Sequence, residues 1–197
     1  EQDLKRRLLT LTQKVRDVET SPAPLEKKYS IPHRHNISSI KSAYTGGIPV
    51  EREYVIFILD TSGSMKRFWT TVEKKIKDIL SIHPKIKGIQ IMSDNGDYLF
   101  QGYSSRWIPD TQTTRKRIAE KLRNWNSFSN SNPSKGLEKA LRFHSNVPGG
   151  VSIYVMGDDF TGPSYDEVIT RVEKLNLKTG ETYKRAQIHG IAIPWGV

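Results

Sequence analysis

The sequence predicts an α/β protein. Its expected core is a doubly wound, mostly parallel open sheet with helices on both faces, one antiparallel hairpin strand and an amino-terminal helix. Three observations predict this. First, Tyr54-Val55-Ile56-Phe57-Ile58-Leu59 and Val151-Ser152-Ile153-Tyr154-Val155-Met156 are nearly unbroken apolar runs. Strands covered on both faces read that way. Second, helical apolar spacing separates these runs, and strands alternating with helices imply parallel crossovers. Third, the first run ends in Asp60-Thr61-Ser62-Gly63-Ser64-Met65. Small polar residues at the carboxyl end of a central strand lie where open α/β sheets bind ligands.

The elements follow in order. Leu4, Leu8, Leu11, Val15 and Val18 recur at heptad spacing, so residues 1–20 read as an amphipathic helix. That stretch is too short to be stable alone. Either it docks on the sheet or it self-associates as a coiled coil through residues 4–18. Ser21-Pro22-Ala23-Pro24 stops it, and Pro and Gly recur as far as Pro49, so residues 21–50 read as a linker or irregular wrap. His33 and His35 lie there without a third metal ligand nearby.

The domain spans residues 51–197. After the first strand, Met65, Phe68, Trp69, Val72, Ile76, Ile79 and Leu80 mark a helix face that ends before Pro84. Ile86, Ile89 and Ile91 suggest a second strand. Asp94-Asn95-Gly96-Asp97 reads as a turn and Tyr98-Leu99-Phe100 as the antiparallel hairpin strand. Thr111 or Thr113 opens a helix through Ile118, Leu122 and Trp125. Pro133 opens another with Leu137 and Leu141 on its face. The run 151–156 is the next strand, Ser164 caps a helix through Val168, Val172 and Leu175, and Gln187 to Ile193 form the last strand.

Composition narrows the function. The 197 residues are long enough for one domain with a sizeable core. Without Cys, disulfides and thiolate metal sites are excluded. No apolar stretch is long enough to span a membrane. The net charge of +10 favours acidic partners. The chain begins at Glu1, which reads as a processed or trimmed piece of something longer. The compartment is not fixed by these features. A heptad segment ahead of the domain suits a stalk leading from an anchor before Glu1, which favours an extracytoplasmic tether.

The polar stretch carries the chemistry. Asp60, Ser62 and Ser64 alternate, and in a near-extended loop alternate side chains point the same way. One carboxylate and two hydroxyls make a hard oxygen site suited to Mg²⁺ or Mn²⁺. The plainer reading is that Ser64 caps the following helix.

Strand, Asp-x-Ser-x-Ser and helix together resemble the metal-ion-dependent adhesion site of von Willebrand factor A domains. Two later segments extend the resemblance. Ser131-Asn132-Pro133-Ser134-Lys135-Gly136-Leu137 fits the frame in which the family places a Thr, with Ser131 in its position. Ser127, Ser129 and Ser134 lie close by, so the register there stays open. Met156-Gly157-Asp158-Asp159 fits the family's Asp after the fourth strand, with Asp158 as the match. Asp159 replaces the usual Gly, and it adds a charge near the site or covers its open face. The resemblance implies a site of Asp60, Ser62, Ser64, Ser131 and Asp158 holding Mg²⁺ or Mn²⁺, with Asp159 behind it. It implies a non-catalytic module in which a partner protein's Asp or Glu completes the metal's coordination. The family also ends in a helix after the last strand, where this chain has Pro194-Trp195-Gly196-Val197.

Two other classes compete. A haloacid-dehalogenase-like phosphatase also has an Asp after its first strand, but it needs a second Asp two residues on as general acid. Ser62 stands there, and a hydroxyl does not do that work near neutral pH. Nucleic-acid binding is suggested by Arg115, Lys116, Arg117, Lys121 and Arg123 on one helix. No stacking platform of aromatic residues accompanies them, so no nucleic-acid partner is expected. No Gly-x-Ser-x-Gly elbow surrounds Ser62.

Overall fold

The structure is a computed structural model. It describes residues 44–45, 48–49, 52–83, 86–104, 106–125, 127–162, 164–177 and 184–193. The heptad segment 4–18 and the residues after Ile193 lie outside this set. So does most of the 21–50 stretch, apart from a short antiparallel pair, β1 (Tyr44–Thr45) and β2 (Ile48–Pro49).

The main sheet has four strands, all parallel, in the order β4-β3-β5-β6. They are β3 (Tyr54–Leu59), β4 (Gly88–Ser93), β5 (Val151–Gly157) and β6 (Ala186–Ala192). Tyr54 pairs with Gly88 on one side and Val151 on the other, and the register holds to Leu59, opposite Ser93 and Met156. Both central strands are apolar at nearly every position because both of their faces are covered.

Among the described residues four helices supply the cover: α1 (Trp69–Ile82), α2 (Gln112–Arg123), α3 (Ser134–Phe143) and α4 (Tyr165–Asn176). Val55, Phe57 and Leu59 face Val72, Ile76 and Leu80 of α1 and Ile118 and Leu122 of α2. Ile56 and Ile58 face Leu137, Ala140 and Leu141 of α3, with Val172 and Leu175 of α4 at the margin. Strand alternation thus splits one run between two cores. From β3 the chain moves outward to β4, and from β5 it moves outward to β6 in the opposite direction. Right-handed crossovers in opposite directions put their helices on opposite faces, where α1 and α4 are found.

The caps anticipated from sequence form. Thr111 Oγ1 accepts the Thr114 amide at 3.0 Å, and Ser164 Oγ accepts the Glu167 amide at 3.1 Å. The antiparallel hairpin strand does not form. Only Tyr98 bridges to Met92, and the chain then curls into a 3-10 turn at Gln101–Tyr103. Gln101-Gly102 follows the apolar triplet at once, too soon for a ladder. Ile108 returns to bridge Ile89 from the same side. Two single bridges therefore shield the edge of β4, a common way of blunting an edge strand.

Candidate functional site

Strand order reverses between β3 and β5, and the polar residues collect at the carboxyl ends of these two strands. The Asp60 amide donates to the Met156 carbonyl at 2.8 Å, which carries the pairing one residue past β3. Asp60 is thereby fixed beside the end of β5 and is buried. Its Oδ1 accepts the Ser62 amide at 2.8 Å. That bond bends the loop, so the three alternating residues converge through a turn rather than an extended segment.

Ser64 opens a 3-10 turn, Ser64–Phe68, whose cap position is Gly63, with no side-chain cap bond. The Ser64 hydroxyl is used elsewhere. It lies 3.0 Å from the Ser62 hydroxyl and donates to Asp158 Oδ1 at 3.1 Å. Asp60, Ser62, Ser64 and Asp158 thus form one connected chain of oxygens. Ser131 is buried, and its side chain favours the charged form of the Asp60 carboxyl. Its φ is 53°, the one positive φ of a non-glycine among the described residues. A left-handed residue of this kind stores strain, and such strain gathers at binding sites.

Asp159 stays apart from the chain of oxygens. It is exposed, and its Oδ1 accepts the Phe160 amide at 2.7 Å. With Asp60, Asp94 and Gly157 it lines a pocket of about 360 Å³ beside the site.

The sequence reading misses Asp94 and leaves Ser129 as one of the alternatives to Ser131. Asp94 follows β4 directly and reads as a turn residue, yet it is 1 % exposed. Its Oδ1 accepts the Thr61 amide and hydroxyl, both at 3.3 Å, and its Oδ2 accepts the Asn132 amide at 3.0 Å. One carboxylate therefore ties the loops after β3 and β4 to the segment ahead of α3. Ser129 Oγ lies 3.3 Å from the Thr61 amide and 3.5 Å from Asp60 Oδ1. The signal for Asp94 was its place at the carboxyl end of an apolar strand; nothing local distinguishes Ser129 from its neighbours.

Electrostatics leave the site short of positive charge. Burial pushes the Asp60 carboxyl above its ordinary range, and the nearby Asp94 charge adds to that push; hydrogen bonding from Ser62 and the nearby Ser131 side chain oppose it. Two buried carboxylate oxygens, Asp60 Oδ2 and Asp158 Oδ2, have no hydrogen-bond donor. A buried acceptor of this kind is costly unless something satisfies it. Gly157 keeps space open there, since a Cβ at that position would lie 3.3 Å from Asp60 Oδ2. The donor set of two carboxylates and several hydroxyls fits a hard divalent cation. Among the described residues no three His, Cys, Asp or Glu side chains gather into a metal cage, so the hydroxyls would have to complete the ligand set.

Fold and site together define an open, doubly wound α/β protein with a cluster of carboxylates and hydroxyls at its topological switch point and a pocket beside it. No protein-family model matches the chain, and no curated protein matches it either.

Proposed function

We propose that this domain is a binding module of the von Willebrand factor A type, which captures an acidic side chain of a partner protein through Mg²⁺ or Mn²⁺. The observation that carries the proposal is the pair of donorless buried oxygens, Asp60 Oδ2 and Asp158 Oδ2, next to the Ser62–Ser64 hydroxyl pair. Asp60, Ser62, Ser64, Ser131 and Asp158 would hold the ion. Bound there, the ion would supply an electrophilic position for an oxygen from outside.

The chain's own residues do the rest. Hydroxyl ligands add no negative charge of their own, so a bound divalent ion would keep more attraction for an outside carboxylate than in an all-carboxylate site. Asp94 fixes the three loops, which reduces the ordering cost of binding. The +10 net charge steers acidic partners toward the domain. No histidine is hydrogen-bonded to the Ser62 and Ser64 hydroxyls among the described residues, whose neighbours are each other and the Asp158 carboxylate, and the reading is non-catalytic.

Titration calorimetry with Mg²⁺ and Mn²⁺ tests this. Wild type is expected to bind at millimolar ion concentration or tighter, and Asp158→Ala to bind at least tenfold more weakly with its melting curve retained. Equal binding by both proteins, or none by wild type, would sink the proposal. Turnover of a phosphate ester that Asp60→Asn abolishes would replace it with the phosphatase reading.

A further inference from the structure

A second pocket, of about 250 Å³, is lined by Thr61 and by Ser62 of the hydroxyl–carboxylate cluster. Its remaining wall includes Lys66, Trp69, Arg123 and Trp125. The two indoles lie 6.3 Å apart at an interplanar angle of 56°. The Trp69 Nε1–H is committed to the Leu122 carbonyl at 2.5 Å, which fixes that ring as a wall. Lys66 is exposed and has no acidic partner among the described residues. Arg123 pairs with Glu73 at 3.1 Å, but Glu73 also holds Lys77 at 2.7 Å. One carboxylate thus serves two cations, and that trio keeps a net positive charge. The pocket wall contains no acidic residue.

We propose that this pocket takes a second acidic side chain of the same partner segment, two residues from the one captured at Asp60, Ser62, Ser64 and Asp158. The proposal rests on the binding-module reading for the first acid and on its own wall for the second. Charge complementarity selects the occupant. The methylenes of a Glu suit the indole faces, and its carboxylate suits Lys66 and Arg123. In an extended segment, side chains two residues apart share a face at a separation of about 7 Å. Because Ser62 is a member of the hydroxyl–carboxylate cluster and also lines this pocket, the two sites adjoin, and one extended segment can address both. The recognised chemistry is therefore an acid-x-acid segment, with the longer Glu preferred at the second position.

The test uses the full chain and a set of blocked ten-residue peptides with one central Asp and Glu, Gln, Leu or Lys two residues later. Binding is read by tryptophan fluorescence, in Mg²⁺ and in chelator. The Glu peptide is expected to bind at least tenfold tighter than the Gln peptide, and the Lys peptide weakest. Lys66→Gln should bring the Glu-to-Gln ratio down to about threefold or less, and Lys66→Glu should reverse the order of the Glu and Lys peptides. Lys66 is exposed, so both variants are expected to fold; a melting curve checks this. A wild-type ratio near one, a ratio unchanged in Lys66→Gln, or no peptide binding at all overturns the proposal. If chelator leaves every affinity unchanged, the metal reading of the first site fails, while the Glu-to-Gln ratio still reports on this pocket.

Discussion

Asp60 is held in place by its backbone and by one of its oxygens, while the other oxygen lacks a donor. A buried charge without a partner costs stability, and a bound cation would remove that cost. Asp60→Asn keeps the acceptor for the Ser62 amide and deletes the charge. In chelator the variant should therefore be more stable than wild type, by about 1 kcal/mol, the low end for an unsatisfied buried group. In excess Mg²⁺ the order should reverse, because only wild type gains from binding. Melting curves of both proteins in both buffers read this directly; a variant that melts below wild type in chelator contradicts it. Gly157→Ala probes the neighbouring space. Its Cβ would crowd Asp60, so divalent affinity should fall several-fold while the fold persists.

At the scale of elements, the seating of α3 matters most to the site. The Gly136 amide donates to the Asp94 carbonyl at 2.8 Å. A Cβ on Gly136 would meet the Ser93 carbonyl at 2.8 Å and Ile58 Cγ2 at 2.9 Å. The first turn of α3 thus lies directly against the ends of β3 and β4. Gly136→Ala gains helix propensity of up to about 1 kcal/mol but forces that contact apart, and overpacking costs typically ~1–3 kcal/mol. A net loss of stability is expected, together with weaker divalent binding. Gly102→Ala, with nothing within 4 Å of the added Cβ, serves as the control and should change neither. The sequence showed α3 through Pro133, Leu137 and Leu141, but not how closely it approaches. The two central strands, the four described helices and the caps at Thr111 and Ser164 were legible because period and punctuation are local. The failed hairpin strand was not, because three apolar residues satisfy a strand pattern without fixing a partner. Asp60, Ser62, Ser64 and Asp158 were legible as strand-end residues. Asp94 was not, because its role is to join loops that are distant in sequence.

At the scale of the whole molecule, two buried histidines sit on opposite faces of the sheet. His83 pairs with the Tyr154 hydroxyl at 3.0 Å on the α1 face, and His144 pairs with the Tyr98 hydroxyl at 3.0 Å on the α3 face. Both are at most 5 % exposed. Burial holds each imidazole down to about 4, with the Lys139 charge adding to the effect at His144. An unfolded histidine takes up its proton near 6.5. Above that value neither state is protonated and the shift has no effect. As pH falls from about 6.5 toward about 4, the unfolded chain binds protons that the fold refuses, and stability drops. The loss approaches roughly 3 kcal/mol per histidine at the lower end, at about 1.4 kcal/mol per pH unit. Both cores should therefore weaken over the same interval, and unfolding should stay cooperative. Urea melts at pH 7.0, 5.5 and 4.5 check this: the midpoint should fall steadily, and the double variant His83→Gln, His144→Gln should start lower at pH 7.0 but fall by much less. Each Gln can keep a hydrogen bond to its tyrosine and cannot be protonated in this range, so a double variant as acid-sensitive as wild type would place the source of that sensitivity elsewhere in the chain.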